Sequence, residues 1–99
     1  MLMKSLPPNE RPRERLLASG VDALTARELI ALVLRNGTAG KSALEIADEL
    51  IVDYGAAQTL ASVRPEELAT RSGVGPAKAA SLVAAFQLSR RSIRNDPVQ

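Results

Sequence analysis

The residues best suited to chemistry lie in one run, Leu68-Ala69-Thr70-Arg71-Ser72-Gly73-Val74-Gly75-Pro76-Ala77-Lys78-Ala79. Two glycines flank one aliphatic residue, and the pattern beyond them reads as a helix. Glycine reaches positive φ without steric penalty and leaves its backbone open to close approach. Gly73 and Gly75 are therefore expected to reverse the chain while Val74 plugs the space between two helices. Pro76 suits a first helical position, where its missing N–H costs no helix bond. The amides of Gly75, Ala77 and Lys78 then have no partner inside the helix. With the helix dipole they make an anion site, and Lys78 in the first turn adds a point charge for a phosphate. The plainer reading of the same residues is a compact helix–helix turn that holds no ligand.

Further cations join this candidate. From Arg71 to Arg94 the charged residues are Arg71, Lys78, Arg90, Arg91 and Arg94, with no acid among them. A polyanion is drawn to such a segment, although basic residues also decorate helix C-termini because the dipole favours them there. Lys41, in the glycine-bearing turn Gly37-Thr38-Ala39-Gly40-Lys41, is a candidate for a contact to a backbone phosphate. That turn runs into Ser42 and superficially resembles the end of a nucleotide-binding loop, but it lacks the required earlier glycine and follows a predicted helix. The run from Lys41 to Asp53 has the opposite character. One lysine faces Glu45, Asp48, Glu49 and Asp53, which makes a poor surface for DNA and a candidate surface for a protein.

Some chemistry is excluded by residue type. The 99 residues include no cysteine and no histidine, so no disulfide, thiolate, imidazole base or ordinary zinc site is expected. Neither a metal nor a cofactor is expected, and no nucleophile–base pair is visible. The absence of cysteine fits a cytoplasmic location. The opening residues MLMKSLPPNE reach two prolines without a long apolar core and do not read as a signal peptide. No apolar run is long enough to span a bilayer.

The elements that must position these residues are helices. Residues 1–8 read as an extended lead-in. Asn9 is expected to cap a first helix from Arg11 to about Ala18, stopped by Gly20. Thr25 with Glu28 forms a capping box that opens a second helix, Ala26 to about Asn36. Ser42 with Glu45 forms another, and Leu44, Ala47, Leu50 and Ile51 line one face of the helix that follows, to about Tyr54. A turn at Thr59–Ala61 and a short helix opened by Pro65 come next, with Ser62 or Arg64 as its cap. The last helix is expected from Pro76 to about Arg91, with Ala79, Leu82, Val83 and Phe86 as its apolar stripe. The expected fold is all-α: a small bundle of four to five short helices over residues 9–91, with a helix-hairpin-helix at 65–88 and a tail at 92–99. The turn at Gly37–Gly40 and its helix faintly echo the turn at Gly73–Gly75 and its helix.

The Gly73-Val74-Gly75 turn with Lys78 and Ala79 resembles the helix-hairpin-helix motif, whose turn amides clamp duplex phosphates without reading bases. Arg71 departs from the motif, because an apolar residue usually sits two positions before the first glycine. Either the first helix packs less well, or Arg71 bends away to add a phosphate contact. Beyond this motif, Arg11-Pro12-Arg13-Glu14-Arg15-Leu16-Leu17, Leu24-Thr25 with Glu28-Leu29, Leu34-Arg35-Asn36-Gly37 and Gly40-Lys41-Ser42 occur in order. Together they resemble the N-terminal region of the RadC (UPF0758) family over roughly residues 4–91. The resemblance implies a DNA-repair label and a downstream JAB/MPN-type metallopeptidase-like domain, whose histidine-bearing zinc site this chain does not contain.

The resulting expectation is a DNA-binding module without sequence preference and without a catalytic site. It contacts duplex phosphates through Gly73, Val74, Gly75, Ala77 and Lys78, aided by Arg71, Lys41, Arg90 and Arg91. The competing expectation is a protein-interaction or scaffold domain that positions a JAB/MPN-type domain or another partner.

Overall fold

Two capping boxes set the frame. Thr25 Oγ1 accepts from the Glu28 amide at 3.2 Å, and the Glu28 carboxylate accepts from the Thr25 amide at 2.9 Å. Ser42 and Glu45 repeat the exchange at 3.1 and 2.9 Å. Each box satisfies amides that a helix start would otherwise leave open. The computed structural model describes residues 11–38 and 40–93. Over them the chain forms α1 (Pro12–Ser19), α2 (Ala26–Leu34), α3 (Ala43–Tyr54), α4 (Ala57–Leu60), α5 (Pro65–Ala69) and α6 (Gly75–Ile93). A single 3-10 turn, Val21–Ala23, joins α1 to α2.

The all-α bundle matches the expectation, but it has six helices where four to five were expected. The surplus comes from α4 and α5, which are scarcely longer than one turn each. The first helix begins at Pro12 with Arg11 as its cap residue; the expected cap, Asn9, lies outside the described residues. Helix α2 stops at Leu34, two residues short of the expected end. Arg35 breaks it by taking φ 71° and ψ −64°, and the Asn36 amide donates to the Leu34 carbonyl at 2.8 Å. This is a γ-turn of the rare, strained kind, which in a non-glycine residue costs on the order of 1–3 kcal/mol. The turn expected at Thr59–Ala61 is helix α4, two residues earlier. Arg64, rather than Ser62, stands before α5. Helix α6 starts one residue early, at Gly75, and runs to Ile93, into the stretch expected as tail. Among the described residues the sole strand-like feature is one bridge, Thr38 to Lys41, across the turn between α2 and α3.

The core is aliphatic. Leu34, Ile46, Leu60, Leu68 and Leu82 are fully buried, each from a different helix. Ala31, Ala43, Ala47 and Ala79 fill the gaps between them and let the helices approach closely. Phe86 packs against the rim of this cluster and is a core aromatic. Truncating any one of the fully buried leucines to alanine is expected to cost about 2–5 kcal/mol. The helices pair as two hairpins, α2 with α3 and α5 with α6, and α2 also packs on α6. Helix α1 lies against α2, where Arg15 donates to the Ala23 carbonyl at 2.6 Å and pairs with Glu28 at 2.6 Å.

Candidate nucleic-acid interface

Gly73 and Gly75 both have positive φ, 84° and 69°. Between them Val74 is buried, with its amide donating to the Arg71 carbonyl at 3.0 Å. The turn is therefore a reversal built on two glycines and one apolar plug. The two glycines differ in their surroundings. A Cβ on Gly73 would lie 2.7 Å from Ile46 Cδ1, so this glycine allows the turn to seat on α3. A Cβ on Gly75 would meet nothing within 4 Å. Gly75 thus faces open space at the start of α6, beside exposed Ala77 and half-buried Lys78.

The start of α6 also differs electrically from the others. Among the four helices of eight or more residues, α1, α2 and α3 carry Glu14, Glu28 and Glu45 in their first turns, and α6 carries no acid there. The carboxylates at the starts of α2 and α3 are already bound to local amides. These contacts hold both carboxyls below the ordinary range: the Ser42 amide is the main cause at Glu45. At Glu28 partial burial works the other way, but the Thr25 amide and Arg15 outweigh it. Helix α6 keeps the positive end of its dipole uncompensated by any such side chain.

The other candidate cations divide into held and open. Lys41 Nζ lies 2.8 Å from Glu49 Oε1 and 3.1 Å from Ser72 Oγ. It joins the turn before α3 to the turn before α6. Arg71 lies in the turn after α5. It stacks over Tyr54, 4.8 Å from the ring centroid, and pairs with Asp53 at 3.3 Å. The Tyr54 hydroxyl in turn donates to Glu67 at 2.8 Å; burial and this acceptor raise its pKa. Arg90 donates to the Ala61 carbonyl at 2.9 Å, so it tethers the end of α6 to the α4–α5 connection. Arg91 is exposed in the last turn of α6, with no ion-pair partner among the described residues; Arg94 lies outside them.

Sequence reasoning missed why the acidic face of α3 is quiet. Asp48, Glu49 and Asp53 pair with Arg27, Lys41 and Arg71. The i, i+4 spacing of Glu49 and Asp53 marks one face, but their partners, Lys41 and Arg71, come from other segments and leave no local signal. It also missed a basin of about 800 Å³ between α1 and the α2–α3 turn, lined by Arg11, Arg13, Glu14, Arg35 and Lys41 among others.

Residues 3–80 match the family model described as UPF0758 N-terminal. A UPF0758 protein of Polaromonas sp. is 47% identical over 96 residues, covering 97% of this chain and 43% of the relative. One from Dechloromonas aromatica is 48% identical over 97 residues, with the same coverage. One from Moorella thermoacetica is 51% identical over 89 residues, covering 90% of this chain and 39% of the relative. The chain thus spans less than half the length of these curated relatives. No solved structure matches it. With its family model matched across most of its length and relatives near half identity, the chain belongs to the UPF0758 N-terminal family.

Proposed function

We propose that this domain binds duplex DNA without sequence preference, through backbone phosphates seated on the amides of Gly75, Ala77 and Lys78. The observation that carries this reading is the acid-free, open start of α6. Helix-start amides and a nearby lysine recognise phosphate by charge and hydrogen bonding, and neither reads a base. Val74 and Gly73 serve by shaping the turn rather than by touching the ligand. Arg91 adds long-range attraction; Lys41, Arg71 and Arg90 contribute less, because each is already committed within the domain. On this reading the domain has no catalytic site of its own and serves DNA repair by holding duplex DNA.

The test is affinity for a labelled duplex across a salt series. Two phosphate contacts give a log–log slope of about −1.8, roughly 0.9 for each phosphate. Lys78→Ala lowers that slope by up to about 1 and weakens all sequences alike. Folded protein with weak, salt-insensitive binding that Lys78→Ala leaves unchanged contradicts the reading. That outcome favours a scaffold domain instead, for which exposed Leu17, Leu88 and Ile93 offer apolar contact area.

A further inference from the structure

The basin between α1 and the α2–α3 turn is a second place where anions would collect. Its cations come from separate segments: Arg11 and Arg13 from the start of α1, Arg35 from the end of α2, and Lys41 from the turn before α3. One carboxylate, Glu14, lines it with them. Lys41 is held by Glu49, and Arg13 has an exposed pairing with Glu14 at 3.2 Å. Exposed pairs of that kind are weak and give way readily to a multiply charged ligand. The Arg35 guanidinium has no hydrogen-bond or ion-pair partner among the described residues, although the residue's backbone amide donates to the Ala31 carbonyl at 3.0 Å. Its backbone is also the one non-glycine position with positive φ among them. A strained residue held at the rim of a cavity, with its guanidinium uncommitted, is a placement that stability alone does not explain.

We propose that this basin binds a phosphate monoester, with Arg35 and Arg13 as its principal ligands. Several guanidinium groups lining one concave surface suit a dianion better than the single charge of a passing phosphodiester. The lining contains no aromatic side chain, so nothing in it offers a stacking platform for a base. A monoester can reach the basin from two sources, a phosphorylated strand end or a free nucleotide. The first is within geometric reach of the α6 start, because Lys41 lines the basin and also touches Ser72 in the neighbouring turn. The basin would hold its phosphate whether or not the α6 start binds DNA.

The experiment is a titration of the 99-residue chain with inorganic phosphate at fixed ionic strength, followed by amide NMR, and repeated with AMP and with short duplexes. Phosphate should shift amides at residues 35–38 and 40–42. Arg35→Gly removes the guanidinium while glycine takes the same φ freely, and it should weaken phosphate binding about tenfold or more. Arg13→Gln, on an exposed face, should weaken it in the same direction and serves if the glycine variant fails to fold. A duplex with 5′-phosphates binding at least tenfold more tightly than its 5′-hydroxyl counterpart assigns the strand end; AMP binding tenfold more tightly than inorganic phosphate assigns a free nucleotide. The site is overturned if basin amides do not shift, or if both variants shift as readily as the unsubstituted chain. The monoester assignment is overturned if neither the phosphorylated end nor AMP gains tenfold. Loss of duplex binding in Lys78→Ala with phosphate shifts intact would separate this site from the one at α6.

Discussion

Lys41 Nζ and Ser72 Oγ, 31 residues apart, are 3.1 Å from each other, and this contact brings the turns of the two helical hairpins side by side. The same ammonium is 2.8 Å from Glu49. A lysine that looks available in sequence is thus shared between a carboxylate and a hydroxyl. A phosphate that uses it competes with Glu49 for its charge. Lys41→Ala should therefore lower duplex affinity less than Lys78→Ala does. Glu49→Gln should raise affinity at low salt, by about threefold, by freeing one charge beside the turn. Fluorescence anisotropy of the three variants checks the order; a Glu49→Gln protein with reduced affinity contradicts it.

The two glycines of the turn should respond differently to alanine. Gly73→Ala brings a methyl group to 2.7 Å from Ile46 Cδ1 and strains φ 84° as well. Overpacking and strain together should cost about 2–4 kcal/mol. Gly75→Ala carries strain alone, about 1–2 kcal/mol, because its side faces open space. Urea unfolding measures both. Ile46→Val removes the clashing Cδ1 and should recover about 1 kcal/mol of the Gly73→Ala loss in the double variant.

Acid should weaken the α1–α2 corner. Glu28 has a pKa below its ordinary value of 4.5, held there by the Thr25 amide and Arg15 against the cost of partial burial. The folded carboxylate thus ionises at lower pH than the unfolded one. Its stabilisation is complete above the unfolded pKa and is lost as pH falls through the folded value. Stability measured by urea between about pH 6 and pH 3 should fall over that window. Glu28→Gln should be less stable at neutral pH and show a shallower fall; an unchanged slope would show that Glu28 does not contribute.

Arg90 and Arg91 are adjacent in sequence and should separate in experiment. Arg90→Gln loses a bond to the Ala61 carbonyl and should lower stability slightly, by less than about 1 kcal/mol at so exposed a position. Arg91→Gln should leave stability unchanged and reduce duplex affinity at low salt. Thermal unfolding and anisotropy on the two single variants distinguish them, and equal effects in both assays would contradict the division.

Much of this architecture was legible because its signals are local. The Thr25/Glu28 and Ser42/Glu45 boxes, Gly20 and Gly55 at helix ends, and the Ala79–Phe86 stripe each act within one or two turns of chain. Helix α2 was misread at its end because Arg35 takes a conformation that arginine rarely adopts, and no residue-type rule anticipates it. The geometry of the Gly73–Gly75 turn was legible for the same local reason. What escaped was everything made by long-range pairing. The commitment of Lys41, Arg71 and Arg90 to Glu49, Asp53 and Ala61 depends on the packing of hairpins. The basin at Arg13 and Arg35 likewise exists only once α1 docks beside the α2–α3 turn.

The central claim is that backbone amides at the start of α6 receive phosphate. Amide NMR of the isotopically labelled chain, titrated with a short unmodified duplex at low salt, tests it most directly. The account predicts the largest shifts at Gly75, Ala77 and Lys78, reversed by added salt and indifferent to the duplex sequence. Shifts confined to the exposed apolar positions of α1 and the end of α6, or absent from residues 75–78 while the duplex binds, would contradict it.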